Sequence, residues 1–327
     1  MKTVGYTLLE LLIAMALGLF LLAGVFMAFQ TNMQSKVLQE SMQQIQRNGR
    51  FAVEKMSYAI KISGYTGFYR KIEMGLENLI DPTVSDPWNV SKKVEGFNNV
   101  VAGTTILGIS GFTVGSDVIL LKGMSGDINA VINNTNPSLL SVPIDSGYVV
   151  GDILMVSDVD QASILMVNKI DKNLINNSLD IETPAMEFNS EAEVGQFMVQ
   201  MFYIKKGDNG HPALFNARLK ASGGKPILQE TELTSGVENM QITYGVDTDN
   251  SNAPNEFRDS STITNWENVV SVNLALLVVS EEDKMTLEKT SYSFDPTLMR
   301  FIKDSIADSN ANRRLKRAFK TSVTLRN

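Results

Sequence analysis

Cysteine is absent from the 327-residue chain, and histidine occurs only once, at His211. The chain therefore forms no disulfide, and a Cys/His zinc site, a Cys–His nucleophile or a Ser–His–Asp triad is difficult to build. His211 stands in a Gly-His-Pro tripeptide between two strand-like runs, where a turn is the expected structure. These absences disfavour an enzyme, and we expect no cofactor.

Positive charge is also scarce, since 29 Lys and Arg residues face 36 Asp and Glu residues and the formal net charge is −7. Nucleic-acid binding normally requires a basic domain, so it is not expected. Proline is absent before Pro82, and nothing in the preceding residues forces a helix to break. The remaining composition, 43% hydrophobic and 20% charged, is that of an ordinary globular protein with one large domain or two small ones.

The most informative feature is an uncharged apolar run over residues 11–29, with Glu10 at its front edge and a leader, Met1–Gly5, before it. This run is long enough for a membrane span. An acid costs about 2.5–3.5 kcal/mol at mid-bilayer and less near the end of a span, while the 11 Leu, Ile, Phe and Val residues of the run return roughly 3–6 kcal/mol. The span tolerates Glu10, and an ionisable residue in such a segment predicts a function.

The residues GYTLLELLIAMALGLFLL resemble the class III signal of type IV prepilins. In that family a membrane peptidase cuts after the glycine and methylates the new N-terminus, which implies cleavage between Gly5 and Tyr6 and methylation of Tyr6. Tyr6 stands where the family usually has Phe and keeps the aromatic ring. An ordinary secretory signal has a shorter apolar region followed by a small-x-small cleavage site, and none follows before Gln30. A plain membrane anchor leaves Gly5 and Glu10 unexplained.

The sequence after the apolar run becomes polar without a helix-breaking signal until Ser63-Gly64. Gly64 suits the left-handed position that follows a helix end. A continuous helix over residues 6–63 would be roughly 87 Å long. Gly49 is its weak point, because glycine costs about 1 kcal/mol relative to alanine inside a helix. Three- and four-residue steps predict one apolar stripe made of Leu38, Met42, Ile45, Ala52, Met56 and Ala59.

Strand signals dominate from Asp117 onwards, whereas residues 68–116 are loop-rich and yield no predicted elements. KGDNGHP (206–212) is typical of a hairpin loop, residues 240–246 alternate as in a half-buried strand, and residues 269–279 suit a central strand. The other predicted strands are 117–122, 152–158, 163–170, 197–205, 213–219 and 319–325. One long helix followed by many strands predicts an α+β, type IV pilin-like fold with a mainly antiparallel sheet.

The predicted organisation has four segments. These are a prepilin leader at 1–5, the apolar transmembrane half of the helix at 6–29, its amphipathic half at 30–63 and a β-rich globular head at 64–327.

Four further blocks resemble the PilW-type minor pilins of type IV pili. They are QRNGRFAVEKMSYAIKISGYTGF (46–68), GDILMVSDVDQASILMVNKI (151–170), ELTSGVENMQITYGVDTDN (232–250) and NRRLKRAFKTSVTLRN (312–327). Members of that family often have Cys where Phe68 and Val159 stand, so a disulfide that the family uses there is lost in this chain.

The resemblance implies a role in assembly. Minor pilins of this type form an inner-membrane complex with other minor pilins, which primes polymerisation of the major pilin and sits at the pilus tip beneath a PilY-type adhesin. It also implies partners in the prepilin peptidase and the pilus assembly machinery, with a periplasmic head before assembly and a place in the surface pilus afterwards. A buried carboxylate is costly unless it is paired, and the amine freed on a neighbouring subunit by cleavage is a suitable cation. Glu10 is thus predicted to set subunit register, its alternative being to mark the membrane edge.

Two polar features near the C-terminus have competing interpretations. Asp247, Asp249 and Ser251 alternate as calcium ligands do, but Asn252 and Arg258 occupy the positions where an EF-hand has Gly and Glu, which favours a polar turn. A basic patch contains Arg313, Arg314, Lys316, Arg317, Lys320 and Arg326. It is expected to be a solvated face with a protected edge strand, or else a docking surface for an acidic partner or anionic lipid.

Alternative functions remain open from the sequence. The apolar segment equally suits a minor pseudopilin of a type II secretion system, and only the four head blocks favour PilW. A tip-displayed adhesive module that binds a surface or sugar is the alternative from another class. Nothing aromatic-rich in the loops supports it, since Trp88 and Trp266 stand alone.

Overall fold

The computed structural model describes residues 7–67, 76–78, 92–131, 133–136, 139–143, 145–172, 176–181, 188, 192–222, 225–283, 285–286, 288–304 and 312–325. Helix α1 (Leu8–Ile62) comes first and is followed by strands throughout this part of the chain. This order, with mainly antiparallel sheets, confirms the predicted α+β pilin-like architecture.

The strands are β1 (Leu76–Asn78), β2 (Val94–Phe97), β3 (Thr105–Ile106), β4 (Ile109–Ser110), β5 (Val118–Ala130), β6 (Asn133–Asn136), β7 (Leu139–Pro143), β8 (Ile153–Ser157), β9 (Ala162–Lys172), β10 (Asn176–Ile181), β11 (Glu193–Lys206), β12 (Pro212–Ser222), β13 (Lys225–Ser235), β14 (Val237–Val246), β15 (Glu256–Arg258), β16 (Val269–Val279), β17 (Tyr292–Asp295), β18 (Arg300–Lys303) and β19 (Lys316–Thr324). Short 3-10 helices occupy Ser260–Thr262 and Trp266–Asn268.

The strands form two principal sheets. The larger sheet runs β13-β12-β11-β8-β9-β10-β7-β6, with β5 also beside β11, β2 beside β5 and β1 beside β9. The smaller sheet runs β15-β14-β16-β19, and β17–β18 and β3–β4 are separate hairpins. Among the described strands only β1 and β9 pair in parallel, so the predicted antiparallel character is confirmed.

Helix α1 has the predicted extent within one or two residues. Its last turn ends at Ile62, Ser63 is extended with ψ 148°, and Gly64 takes the predicted positive φ of 81°. The Gly64 N–H donates to the Lys122 carbonyl over 2.8 Å, which joins the helix end to β5. The predicted first residue, Tyr6, lies outside the described residues.

The second half of α1 packs on the smaller sheet and on the nearest strands of the larger one. Its buried residues are Ser41, Ile45, Gly49, Ala52, Met56, Ala59 and Ile60. The five apart from Ser41 and Gly49 share one core with β14, β16 and part of β5 and β11. Gly49 belongs to this face because a Cβ at that position would lie 2.3 Å from a ring carbon of Phe319 in β19. The predicted weak point of the helix is therefore where an aromatic ring covers its backbone.

Strand β14 corrects one prediction. The alternating pattern indicates a half-buried strand, but residues 240–246 are buried on both faces. Gln241 and Thr243, on the expected wet face, are only 6% and 8% exposed. Loop residues and the β17–β18 hairpin cover them: the Gln241 side-chain amide donates to the Gly115 carbonyl over 2.8 Å, and the Thr243 hydroxyl donates to the Met299 sulfur over 3.4 Å.

Other predicted strands agree with the structure. Strand β16 has the predicted bounds and is buried along nearly its whole length, as a central strand should be. KGDNGHP lies in the loop that joins β11 to β12, so the hairpin is confirmed. Of the loop-rich stretch 68–116, residues 92–116 contain β2 and the β3–β4 hairpin.

A buried carboxylate joins the two principal sheets. Asp117, just before β5, is 3% exposed, and its two oxygens accept N–H groups from Asn99 (2.8 Å) and Ile242 (2.7 Å). Burial raises the pKa of Asp117 to about 6, and the two backbone N–H groups oppose part of that rise.

We expect Asp117 to make head stability depend on pH. The folded pKa of Asp117 lies above its usual value near 4, so the folded state binds the proton of this carboxyl more tightly than the unfolded state does. The stability that this proton provides therefore falls as the pH rises from 4 to 6, by at most about 3 kcal/mol. The side chain that Asp117→Asn introduces does not titrate. The unfolding free energy of the wild type minus that of the variant should therefore fall as the pH rises from 4 to 7. Urea titrations of the full-length protein in detergent at several pH values measure this difference, and a constant gap would contradict the assignment.

Candidate functional site: the projecting helix

The first part of α1 projects from the head. Residues 8–40 are exposed except for a half-exposed Gly18, and this segment is about 50 Å long at 1.5 Å per residue. Ser41 is the first buried side chain of the helix. The exposed apolar residues of the segment are Leu8, Leu9, Leu11, Leu12, Ile13, Met15, Leu17, Leu19, Phe20, Leu21, Leu22, Val25, Phe26, Met27, Phe29, Met33, Val37 and Leu38.

An apolar surface on every side of a helix requires lipid or other helices around it. The helix is long enough and apolar enough to cross a membrane by length and composition. The same segment, surrounded by helices of other subunits, would suit the core of a helical bundle.

Glu10 closes a capping box at the start of this helix. One Glu10 carboxylate oxygen accepts the Thr7 N–H over 2.9 Å and the Thr7 hydroxyl over 3.0 Å, while the Thr7 hydroxyl accepts the Glu10 N–H over 3.3 Å. This reciprocal arrangement satisfies N–H groups that have no partner inside the helix. The carboxylate therefore orders the helix start within its own chain and remains exposed to a second partner. The predicted cleavage residues Gly5 and Tyr6 lie outside the described residues.

The amphipathic stripe is buried only in part by its own head. Ile45, Ala52, Met56 and Ala59 are at most 3% exposed, but Leu38 and Met42 are 37% and 53% exposed. The predicted stripe thus runs past the edge of the head. A groove of about 290 Å³ lies where the stripe leaves the head, and it is lined by Met42, Ile45, Gln46, Leu315, Lys316 and Arg317.

Asp247, Asp249 and Ser251 lie in one loop after β14, where they organise a turn. Asp247 is 7% exposed, and its oxygens accept the N–H groups of Asp249 (3.2 Å), Ser251 (3.1 Å) and Asn252 (2.7 Å). Hydrogen bonds that the Asp249 carboxylate accepts from Ser251 lower the pKa of Asp249. In the described part of the chain, no group of three or more His, Cys, Asp or Glu residues is arranged for a metal ion. This geometry favours the polar-turn interpretation over the calcium one.

We expect calcium to leave the thermal stability of the protein unchanged relative to chelator. Asp247→Ala should lower the unfolding free energy by about 2–4 kcal/mol, since the N–H groups of Asp249, Ser251 and Asn252 lose the buried carboxylate that accepts them. Thermal melts of both proteins with calcium and with chelator measure both effects. A calcium-dependent rise in wild type that disappears in Asp247→Ala would show that the loop binds the ion.

The basic C-terminal patch is not one solvated face. Lys316 has a 3% exposed side chain, and its ammonium lies 2.9 Å and 3.0 Å from the two carboxylate oxygens of Glu238. The Arg314 guanidinium lies 3.0 Å from a ring nitrogen of His211, and the Arg313 Nε donates to the Thr286 carbonyl over 2.8 Å. These contacts attach β19, an edge strand, and the residues just before it to neighbouring segments. Arg317 and Lys320 are exposed, and Arg326 lies outside the described residues.

Of the two positions that lack the family's Cys, Val159 is 63% exposed in the turn between β8 and β9, and Phe68 lies outside the described residues. Sequence reasoning missed the capping partner Thr7, although Thr-x-x-Glu before an apolar run is the signal that finds it. It also missed Phe319 as the reason for Gly49, and no local pattern indicates that contact.

A projecting apolar helix on an antiparallel β head defines a pilin-like α+β protein. Residues 201–327 match the family model for type IV pilus-assembly protein W. The match supports a PilW-type, pilus-assembly-related protein, and that family is structural rather than known for catalysis. It includes the blocks at 232–250 and 312–327, whereas those at 46–68 and 151–170 lie before it. No curated protein matches the chain, and no solved structure matches it.

Proposed function

We propose that the protein is a minor pilin that helps prime type IV pilus assembly in the inner membrane and then sits at the pilus tip with other minor pilins. The observation that carries this proposal is the length of α1 that its own head leaves uncovered, residues 8–40. Such a surface requires a bilayer before assembly and neighbouring helices afterwards. The family match supports the pilus context.

The proposed organisation follows the same division. A leader at 1–5 is removed, residues 6–29 span the inner membrane, residues 30–63 carry the amphipathic half of the helix, and residues 64–327 form the periplasmic head. The partially exposed Leu38 and Met42 would pack against neighbouring pilins at the level where the helix enters the head. Other minor pilins, the major pilin and a PilY-type tip adhesin are the proposed partners, together with the assembly machinery.

In this proposal Glu10 has two successive partners. Within the chain it closes the Thr7 capping box. In the assembly, the carboxylate would pair with the N-terminal amine of a neighbouring subunit, freed by cleavage between Gly5 and Tyr6 and methylated on Tyr6. Because an unpaired charge in a low-dielectric bundle is costly, this pairing would fix the axial position of each subunit.

Processing gives the first test. We expect mass spectrometry to show loss of residues 1–5 and a methylated Tyr6 in cells that contain the prepilin peptidase, and an intact leader in cells that lack it. Gly5→Val should block the cleavage in the wild-type background, which serves as the matched control. An intact leader in normally piliated cells would refute this part of the proposal.

A minor pseudopilin of a type II secretion system needs the same helix, and the match to the pilus-assembly family favours the pilus. A deletion strain separates the two, since we expect it to lose surface pili and to secrete type II substrates normally. The reverse outcome would support the pseudopilin.

A further inference from the structure

Strand β19 forms one edge of the smaller sheet. It comes last in the order β15-β14-β16-β19, and β16 is its one neighbour among the described strands. The two strands pair without a register shift from Lys316 to Thr324, so all nine residues of β19 lie beside β16. The strand is therefore long and regular for an edge.

Hydrogen bonds at both ends of β19 show which backbone groups face outward. The Leu325 N–H donates to the Val270 carbonyl over 2.9 Å. At the other end, the Ser280 N–H donates to the Leu315 carbonyl, also over 2.9 Å. Residues of an antiparallel strand alternate between pairs that exchange hydrogen bonds and pairs that do not. The odd-numbered residues from 315 to 325 therefore bond to β16, and the even-numbered ones direct their N–H and C=O groups away from the sheet.

Four of the outward-directed residues form an open edge: Ala318, Lys320, Ser322 and Thr324. All four are exposed, including Ala318, whose methyl group shields little of its own backbone. No backbone hydrogen bond joins any of them to another segment of the described chain. Eight backbone groups along about 23 Å of strand are thus available to a further strand. An edge of this kind is a template for strand addition.

The charges at the open edge select an acidic partner. No Asp or Glu occurs at residues 312–327. Lys316 is paired with Glu238, but Lys320, in the middle of the open edge, forms no ion pair with any described carboxylate. Arg317, at the start of the edge, is exposed and lines the groove beside α1. The edge therefore carries positive charge on both of its faces.

The same charges disfavour a second copy of this chain as the partner. Two copies paired through this edge would bring Lys320 and Arg317 of each chain within a few residues of those of the other. Like charges on adjacent strands are destabilising. Lysine at an edge is a known means of preventing such self-pairing, and it admits a strand of the opposite charge.

We propose that the open edge of β19, residues 318–324, binds an extended acidic segment of a partner protein, which adds an antiparallel strand to the smaller sheet. Backbone hydrogen bonds would supply the affinity, and acidic side chains beside Lys320 would supply the specificity. This inference does not depend on the pilus role, and each can fail without the other.

The test uses the full-length protein in a non-ionic detergent and a fluorescein-labelled peptide, Thr-Glu-Val-Glu-Val-Glu-Thr. Its central Glu can lie opposite Lys320, with a Val beside Phe319 and another beside Thr321. We expect saturable binding by fluorescence anisotropy that weakens as salt rises.

Two control peptides separate charge from strand pairing. Thr-Lys-Val-Lys-Val-Lys-Thr keeps the strand-forming pattern and reverses the charge. The acidic peptide N-methylated at its central Glu and the next Val keeps the charge and loses one backbone donor on each edge. Both should bind at least tenfold more weakly than the acidic peptide. Equal binding of all three peptides would overturn the proposal.

Variants of the protein locate the binding site. Ser322→Pro removes an N–H that does not bond to β16, a position where an edge strand tolerates proline, so it should weaken binding at least tenfold and leave the melting temperature nearly unchanged. Lys320→Glu should weaken binding at least tenfold as well. Lys206→Glu, an exposed charge reversal at the end of β11, is the matched control and should bind as the wild type does. Wild-type binding by Ser322→Pro and Lys320→Glu would place the peptide elsewhere.

Hydrogen exchange supplies the decisive measurement, because the proposal predicts an alternating pattern. In the free protein the amides of Ala318, Lys320 and Ser322 should exchange rapidly, while those of Phe319 and Thr321, bonded to β16, should be protected. Bound acidic peptide should protect the first three. Protection of those three amides before peptide is added would contradict the open edge. A concentration-dependent dimer that Ser322→Pro abolishes would assign the edge to a second copy and overturn the proposal.

Discussion

Glu10→Leu should be inserted and cleaved normally, yet fail to restore pili to a deletion strain. The substitution makes the span more apolar, so insertion is not impaired. What it removes is the carboxylate proposed to pair with a neighbour's amine, and with it entry into the minor-pilin complex. Mass spectrometry of the processed protein and counts of surface pili measure the two effects separately.

The capping box requires a control for this experiment, because Glu10→Leu also removes the hydrogen bonds with Thr7. Thr7→Ala breaks the same box and keeps the carboxylate, at a cost of about 1 kcal/mol to the helix start. We expect Thr7→Ala to restore pili almost fully. Glu10→Asp should rescue in part, since the charge remains but reaches one methylene less.

These variants separate the two roles of the carboxylate. If Thr7→Ala and Glu10→Leu are equally defective, the cap accounts for the loss and the register role is unnecessary. If Glu10→Leu supports normal pilus numbers and co-purifies with the other minor pilins, the proposed pairing is wrong and the pilus role rests on the helix surface and the head.

Gly49→Leu should lower the unfolding free energy of the head by about 3 kcal/mol or more. The Phe319 ring already occupies the space of a Cβ at position 49, at 2.3 Å, so any side chain must displace the ring or the strand that carries it. Helix α1 would then separate from β19 at the centre of their contact. Urea unfolding of the full-length protein in detergent measures the loss.

The Gly49→Ala variant tests which of two opposing effects is larger. Gly49→Ala gains about 1 kcal/mol of helix propensity, whereas overpacking costs about 1–3 kcal/mol, so we expect a net loss. In a Phe319→Ala background the ring is gone, and the same change should stabilise the protein by about 1 kcal/mol. Gly24→Ala, with no atom within 4 Å of the added Cβ, is the matched control. A stabilising Gly49→Ala in the native background would show that Phe319 does not constrain this position.

Much of the fold could be predicted because its signals are local. The helix, its end at Gly64, the central strand at 269–279 and the KGDNGHP hairpin each follow from periodicity or turn chemistry within a few residues. Strand β14 was wrongly predicted to be half-buried because the residues that cover it are not local in sequence. The hairpin that covers Thr243 lies about fifty residues away in sequence, and an alternating pattern does not reveal what packs on its polar face.

The features of the candidate site also fall into two groups, those that the sequence determines and those that depend on the tertiary structure. The sequence alone determined that this chain has an apolar helix with one carboxylate at its front edge, because hydrophobicity and charge are properties of the residues themselves. Only the tertiary structure decided which part of that helix is left uncovered and why position 49 is glycine. Those features depend on contacts between segments far apart in the chain, whose register and packing are set by the whole core.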